Sequence, residues 1–246
     1  MTKTNIIFAL KCFLACLGIL AYILTNGTLL KAVVIYLLFT IISNFATVGY
    51  HRYITHNAVK PTTVGKYIFF FSIVAVGLLK PITYAIVHRA HHKHSDTDND
   101  PHSPAVGFWR CLIGNYNHVD LPSSVRDLFR NKELVFINNN FWYLYLVTVA
   151  IFAIIDMQLM YLSFPFLVLR YHLQATIFNY IAHGGSKNTG PQNLNFIPGI
   201  FFWGEHLHLN HHLRQTNANH GRVSKINFDY MYYLLSRLKL INKCSG

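Results

Sequence analysis

Apolar residues along this chain fall in long blocks, not in the short alternations of a sheet or the striped helices of a soluble bundle. Four stretches, roughly 5 to 25, 30 to 50, 137 to 155 and 158 to 182, are long enough to cross a bilayer as helices of about twenty residues. Within each pair the connection is very short, about Asn26 to Leu29 and Asp156 to Met157, so the pattern predicts two membrane hairpins. The long segment between the pairs carries most of the charge, which places the mass outside the lipid on one side. A fifth apolar segment, Val64 to Leu79, contains Lys66 and ends before Lys80-Pro81. At about sixteen residues it is short for a span. It is expected to dip into the interface or pack under the core, because a crossing would put the histidine-rich segments on either side of it at opposite membrane faces.

Composition supports a membrane protein: 52% of the 246 residues are hydrophobic and only 12% charged. Nine carboxylates face 21 Lys and Arg, a formal charge of +12. That excess suits anionic lipid or an acidic protein partner, and by the positive-inside rule it makes the charged side and both termini cytoplasmic. Nucleic acid is not indicated, since the basic residues are scattered and form no basic helix or zinc-finger spacing. The four cysteines contain no C-x-x-C and imply no disulfide framework. No repeat or linker divides the chain, so residues 1–246 read as a single all-α membrane domain of four transmembrane helices in two hairpins, with a cytoplasmic helical cap.

The chemistry is in the histidines. Eight of the fifteen lie in three clusters, His51-Arg-Tyr-Ile-Thr-His56, His88-Arg-Ala-His91-His92 and His208-Leu-Asn-His211-His212. Imidazole is a good ligand for iron, zinc, copper and nickel, so repeated spacing of this kind points to a polynuclear metal centre. On a helix His88 and His92 point within about 40° of each other while His91 lies about 60° to the other side. One helix then offers two ligands to one metal and a third to its neighbour, and His208, His211 and His212 have the same spacing. His51 and His56, five apart, are about 140° around an α-helix and suit two different metals.

His172, Thr176, Asn179 and His183 form a polar stripe at i, i+4, i+7 and i+11 on the last apolar helix, which should face the interior. His183 ends that stripe beside the clusters as a ninth candidate ligand, with Asn179 a further one, direct or through water. His172, about 16 Å higher by helix rise, is expected to be a hydrogen-bonded core residue. Asp96-Thr-Asp98-Asn-Asp100 begins like a calcium loop but has Pro101 at position six and Gly107 at position twelve, so it reads as a turn supplying carboxylates to the histidines. Asp96, Asp100, His102 and Glu205 are the residues expected to support the ligands from behind. His94, His118, His206 and His220 are expected to be supporting or surface residues, and Arg170 an interior structural one.

Together these residues resemble the membrane fatty acyl desaturases, in particular the delta-9 group of acyl-CoA and bacterial acyl-lipid enzymes. The resemblance runs from Gly49 through His88-Arg-Ala-His-His-Lys-His-Ser-Asp-Thr-Asp-Asn-Asp-Pro-His102 and Gly107-Phe-Trp109 to Asn179-x-x-x-His183, Gly204-Glu205-x-x-His208, Asn219-His-Gly221 and Phe228-Asp229. It implies a di-iron centre in which one iron takes His51, His88, His92 and His208, with Asn179 through water, and the other takes His56, His91, His183, His211 and His212. The substrate region is expected at Leu78, Leu79, Tyr84 and Thr176. The implied reaction uses O2 and two irons to place a cis double bond, at delta-9, in a saturated chain carried as acyl lipid, acyl-CoA or acyl-ACP. Electrons would come from a separate ferredoxin or cytochrome b5-type donor. The membrane would be the bacterial inner membrane, the thylakoid or the endoplasmic reticulum, according to source. A membrane di-iron hydroxylase, which returns oxygen to the substrate carbon, is the alternative reading. A histidine-rich metal transporter would instead need ligands strung along a mid-membrane path.

Overall fold

The computed structural model of the protein describes residues 3–114, 125–194, 204–223 and 228–242. His118, Lys225 and Cys244 lie outside these described residues. The described chain is helical, with two isolated β-bridges, Pro61 to Ile241 and Asn193 to Leu207, and no strand among the described residues.

Helix α1 (Lys3–Leu24) and helix α2 (Leu29–Thr47) form the first hairpin. Its turn uses Asn26 in the left-handed region, and the Thr28 hydroxyl accepts from Lys31 N to cap α2. α2 then continues without a break into a π-helical segment, Val48–Thr55. After a turn, α3 (Thr63–Val76) starts at a Thr62 cap and stops at Gly77, whose φ of 59° is the left-handed C-terminal signal. α4 (Pro81–His94) begins on a proline, which suits a first helical turn, and leaves α3 at 91°. The short α5 (Phe108–Ile113) and α6 (Arg126–Phe129) lead to α7 (Lys132–Asn139) and α8 (Phe141–Ile155). A single residue, Asp156, joins α8 to α9 (Met157–Val168), and its carboxylate accepts from Gln158 N. A second π-helical segment, Leu169–Ala175, carries the chain into α10 (Thr176–Ala182). α11 (His208–Leu213) and α12 (Tyr230–Arg237) complete the described helices.

Both hairpin turns lie together, tied by the Lys31–Asp156 ion pair and by Gln158 Nε2 donating to the Thr25 carbonyl at 2.7 Å. α1 runs along α9 at very close range, since a Cβ built on Gly18 would stand 2.4 Å from the Tyr161 carbonyl oxygen. Pro165, four residues on, has no N–H to offer that carbonyl, and the helix changes to its wider π form four residues later, at Leu169. The lipid-length stretch expected from 137 to 155 is also interrupted: α7 and α8 meet at 73° at Asn138-Asn139-Asn140. Asparagine side chains compete with the helix ladder, and here Asn138 Oδ1 accepts from Ile82 N while Asn140 Nδ2 donates to the Phe136 carbonyl.

Two helices are long and apolar enough to cross a membrane, Lys3–Leu24 and Leu29–Thr55, with mean hydropathies of 2.4 and 2.0. Counting each bent pair, α3 with α4 and α7 with α8, as one span raises the number to four among the described residues. Large apolar side chains stand exposed along these helices, Phe13 and Leu20 on α1, Leu37 and Ile41 on α2, Leu146 and Ile154 on α8, as lipid-facing surfaces do. At the opposite end from the hairpin turns, α12 buries Met231 and Leu235 against Val48, Val59 and Phe69, clamping the C-terminal segment onto the end of α2.

Candidate metal centre

The two π and α segments at the ends of α2 and α10, together with α4 and α11, bring nine histidines to one place. Their ring nitrogens sort into two groups, each with its ligand atoms within 4.8 Å of one another: His51, His56, His88, His92 and His211 in one, His91, His183, His208 and His212 in the other. α4 gives His88 and His92 to the first group and His91 to the second; α11 does the reverse, giving His208 and His212 to the second and His211 to the first. Spacing produces this exchange, because residues four apart share a helix face and the third between them does not.

The grouping by nitrogen distance divides the histidines differently from the expected iron sets in two respects. His51 and His56 do not serve different groups: they lie on a π-helical segment, where the His56 N–H donates to the His51 carbonyl at 3.1 Å, and a five-residue repeat returns both rings to one side. The division taken from the desaturase resemblance also differs, since His56 and His211 join His51, His88 and His92, whereas His208 joins His91, His183 and His212. On α11 the pairing of His208 with His212 follows the same i, i+4 rule that pairs His88 with His92.

The Nε2 atoms converge. His211 Nε2 stands 2.9 Å from His51 Nε2 and 2.8 Å from His92 Nε2, and His88 Nε2 is 3.1 Å from His92 Nε2. In the second group His208 Nε2 lies 2.8 Å from His183 Nε2 and 3.1 Å from His212 Nε2. One imidazole nitrogen carries either a proton or a lone pair, so two such contacts at the same atom do not make a satisfied hydrogen-bond network. Carboxylates behind the rings decide the tautomers. His91 Nδ1 donates to Asp100 at 2.9 Å, His183 Nδ1 donates to Asp96 at 2.9 Å, and His51 Nδ1 stands 2.9 Å from Glu205 Oε2. At these three rings a proton held at Nδ1 leaves the Nε2 lone pair pointing inward toward other imidazole nitrogens, an arrangement that repels unless a cation lies between them. The donor set therefore fits metal ions.

Electrostatics agree. Burial, then neighbouring His91 and His183, push His212 down to about 2, and burial with His51 and His220 holds His211 well below the usual imidazole range. Burial opposes ionisation of Glu205, but Arg52 and His51 outweigh it and keep the carboxyl well below its ordinary range. For Asp100 burial is likewise outweighed, by the His91 hydrogen bond and the backbone N–H groups of Asp96 and His102. His211 and His212 thus stay neutral while Glu205 and Asp100 stay charged, the protonation that metal ligation needs.

Sequence reading passed over Arg52. Its side chain is 1% exposed; Nε donates to Glu205, Nη1 to Asp229 at 2.6 Å and to the Ala218 carbonyl, and Nη2 to the Gly204 carbonyl. One guanidinium thereby fastens the segments flanking α11 to the segment bearing His51 and His56. Asp229 also accepts from His220 N and caps α12 through Tyr232 N. The available signal was its place between the two histidines of the first cluster. His220 is buried with its ring 4.9 Å from that of His211, closer to the centre than a surface residue. His172 Nδ1 donates to the Leu112 carbonyl at 2.8 Å, away from both groups. His206 is buried but belongs to neither group.

A cavity touches both groups, lined by His51, His88 and His208 and, facing them, by Leu78, Leu79, Tyr84, Thr176 and Asn179. Asn179 Nδ2 donates to the His102 carbonyl at 2.8 Å. A second, more apolar cavity shares Thr47, Leu78, Tyr84 and Tyr171 with the first and runs to Phe39, Ala75 and Phe166 between the hairpins; Arg170 is on its wall.

Comparison with known proteins gives this arrangement a lineage. A family model described as fatty acid desaturase matches residues 27–222. An acyl-CoA C20 delta-5 desaturase of Anemone leveillei is 29% identical, over 79% of this chain and 66% of that protein. An icosanoyl-CoA 5-desaturase of Limnanthes douglasii is 29% identical, over 79% of this chain and 58% of that protein. An sn-1 stearoyl-lipid 9-desaturase of Anabaena variabilis is 29% identical, over 71% of this chain and 68% of that protein. The chain thus spans about three fifths to two thirds of the length of these relatives. With the matched region running from the turn of the first hairpin past the last histidine cluster, the chain belongs to the fatty acid desaturase family.

Proposed function

We propose that this chain is a membrane-embedded, O2-dependent fatty acyl desaturase that introduces a cis double bond into a saturated chain carried by a lipid or by coenzyme A. The observation that carries the reading is the convergence of nine imidazoles, in two groups, on the inner end of an apolar cavity. His51, His56, His88, His92 and His211 would hold one iron and His91, His183, His208 and His212 the other, with Asn179 acting through water. An all-imidazole donor set accepts iron among other first-row metals, and iron is the metal that membership of the desaturase family favours.

A bound iron pair would supply the oxidising power for removing two hydrogens from adjacent methylenes with O2. The protein's part is placement. An acyl chain has no polar handle along its length, so a fitted apolar channel must set which carbons meet the centre. Leu78, Leu79, Tyr84 and Thr176 would hold the reacting portion, and the space between Phe39, Ala75 and Phe166 would take the methyl end. Asp96, Asp100 and Glu205 would keep the Nδ1 protons of His183, His91 and His51 in place. Four spans with the histidines and both termini on the cytoplasmic side complete the reading, and delta-9 is the proposed position, the relatives' names being divided between 5 and 9.

The test is expression in a host without its own desaturase, followed by mass spectrometry of total acyl chains. Loss of two hydrogens with a double bond between carbons nine and ten is expected. Gain of one oxygen would establish a hydroxylase, and loss of two hydrogens at carbon five would replace the positional assignment alone.

A further inference from the structure

Between α3, α7 and α8 runs a groove that shares no lining residue with the two cavities described above. Phe70 and Val74 of α3 and Leu144 and Val147 of α8 make it apolar, and Lys132 of α7 marks the end where Lys66 and Glu133 pair. From Lys66 to Val74 the α3 helix rises about 12 Å. One leaflet's share of a hydrocarbon core about 30 Å thick is about 15 Å. Phe71 and Phe136 stand exposed on its walls, as lipid-facing rings do. A groove of this length and lining, on a chain with bilayer-length helices, fits one acyl chain of a membrane lipid.

Its charged end is positive. Glu133 is taken up by Lys66 and by the Tyr67 hydroxyl, which donates at 3.1 Å, and Asp127 by the Arg89 guanidinium at 2.7 and 2.8 Å. Arg126, Arg130 and Lys132 are exposed, and among the described residues no carboxylate pairs with them. Tyr67, Phe129, Trp142 and Tyr143, from α3, α6 and α8, are exposed as well, and such a mixture of aromatic and basic side chains settles at a headgroup layer. There each basic residue favours an anionic lipid surface by about fivefold, an attraction that a zwitterionic headgroup lacks.

The same segment is fastened to the helix that bears His88, His91 and His92. Arg89 of α4 grips Asp127 with both terminal nitrogens, and Asn138 Oδ1 accepts from Ile82 N in the first turn of α4 at 3.1 Å. A ligand that steadies α6 and α7 therefore steadies α4.

We infer that the groove between α3, α7 and α8 holds one anionic phospholipid, its phosphate on Lys132 and Arg130 and one acyl chain against Val74 and Val147, and that this lipid steadies the ligand-bearing helix α4. Such a lipid is a bound effector and not a substrate, and its site does not depend on the desaturase reading.

The experiment mixes the full-length protein, purified in detergent, with dioleoyl phosphatidylglycerol or dioleoyl phosphatidylcholine and counts bound lipid by native mass spectrometry. Phosphatidylglycerol is expected to bind at least about fivefold more tightly, and to slow amide hydrogen exchange in α4 more than phosphatidylcholine does. Lys132→Glu and Arg130→Glu should each remove the preference, and Arg214→Glu, exposed beyond α11, should leave it. Val147→Trp fills the groove and Phe136→Asp puts a charge on its exposed wall, so both should weaken both lipids. Phe136→Asp decides if Val147→Trp also lowers the unfolding midpoint.

Equal binding of the two lipids by wild type would overturn the site. So would equal loss from Arg214→Glu, which marks diffuse surface charge, or displacement of the lipid by glycerol 3-phosphate, which marks headgroup contact without the groove. Groove variants that keep both lipids but dissociate a dimer would overturn it in favour of a second copy of the chain. Bound phosphatidylglycerol with unchanged exchange in α4 would overturn the link to the ligand helix.

Discussion

Arg52 and Asp229 meet at 2.6 Å in a site where both are almost wholly buried, one between the two histidines of the first cluster and the other at the cap of the last helix. The pair joins residues far apart in the chain, and with Glu205 it makes a buried triad of one guanidinium between two carboxylates. Removing one member leaves buried charge uncompensated, a loss of about 3–5 kcal/mol. Arg52→Met is expected to lower the thermal unfolding midpoint in detergent and to reduce bound metal together. Arg52→Lys should recover part of the stability, because it keeps the charge and loses the fork. An Arg52→Met variant with unchanged midpoint and metal content would remove Arg52 from the scaffold.

Metal stoichiometry separates the two groups. His91→Ala and His212→Ala should abolish activity and lower iron content, while His94→Ala and His206→Ala, whose rings belong to neither group, should be milder. His211→Ala is expected to weaken the same ion as His51→Ala, and His208→Ala the same ion as His183→Ala. Spectroscopic titration of iron into the four variants reads this pairing directly, and the reverse pairing would restore the division that the family resemblance implied.

Stability of the metal-free protein should fall with acid. His212 is held near 2 in the fold by burial and by His91 and His183, against about 6.5 when unfolded. A histidine with a lowered folded value stays neutral there while the unfolded chain takes up protons, so its contribution is complete above about pH 6.5 and drains away as pH falls. Unfolding midpoints measured after chelation should drop between pH 7 and pH 5, and excess ferrous iron should shift the drop to lower pH. His212→Gln should make the slope shallower.

Gly18 tests the contact between α1 and α9. A Cβ there would fall 2.4 Å from the Tyr161 carbonyl oxygen, below any tolerated contact. Gly18→Leu is expected to separate the helices and lower both expression in the membrane fraction and the detergent unfolding midpoint; Gly18→Ala should do so to a lesser degree. A Gly18→Leu protein as stable as wild type would show that α1 does not pack on α9 this closely.

Topology is accessible by labelling. In a background without native cysteines, Thr62→Cys and Asp98→Cys flank the bent pair of α3 and α4 and lie at accessible positions. Both should react with an impermeant maleimide from the same side of sealed vesicles. Labelling from opposite sides would mean that the pair crosses the membrane.

Much of the site could be read from the chain because it depends on local periodicity. The 1, 4, 5 spacing of His88, His91 and His92 and of His208, His211 and His212 fixes which rings share a helix face, and Asp100 lies close enough in sequence to its cluster to be assigned to His91, whereas Asp96 meets His183, just past the end of α10. The apolar blocks likewise announce both hairpins, whose turns are set by Thr28 and Asp156.

Other features were settled only by packing. Whether a helix is α or π depends on what presses against it and on where a proline withholds a hydrogen bond, so the sharing of one group by His51 and His56 was hidden behind an α-helical assumption. The bends at Lys80-Pro81 and at Asn138 to Asn140 shorten segments that hydropathy alone treats by length. Arg52 is the clearest case. By residue type it reads as a surface cation, but Glu205, Asp229 and two carbonyls from a distant part of the chain surround it. The sequence determined the ligand type, the helical spacing and the apolar setting, because these are local properties of residues and their neighbours. Tertiary structure decided which histidines face one another and which carboxylate holds which ring, because those depend on segments that meet only after the chain has folded.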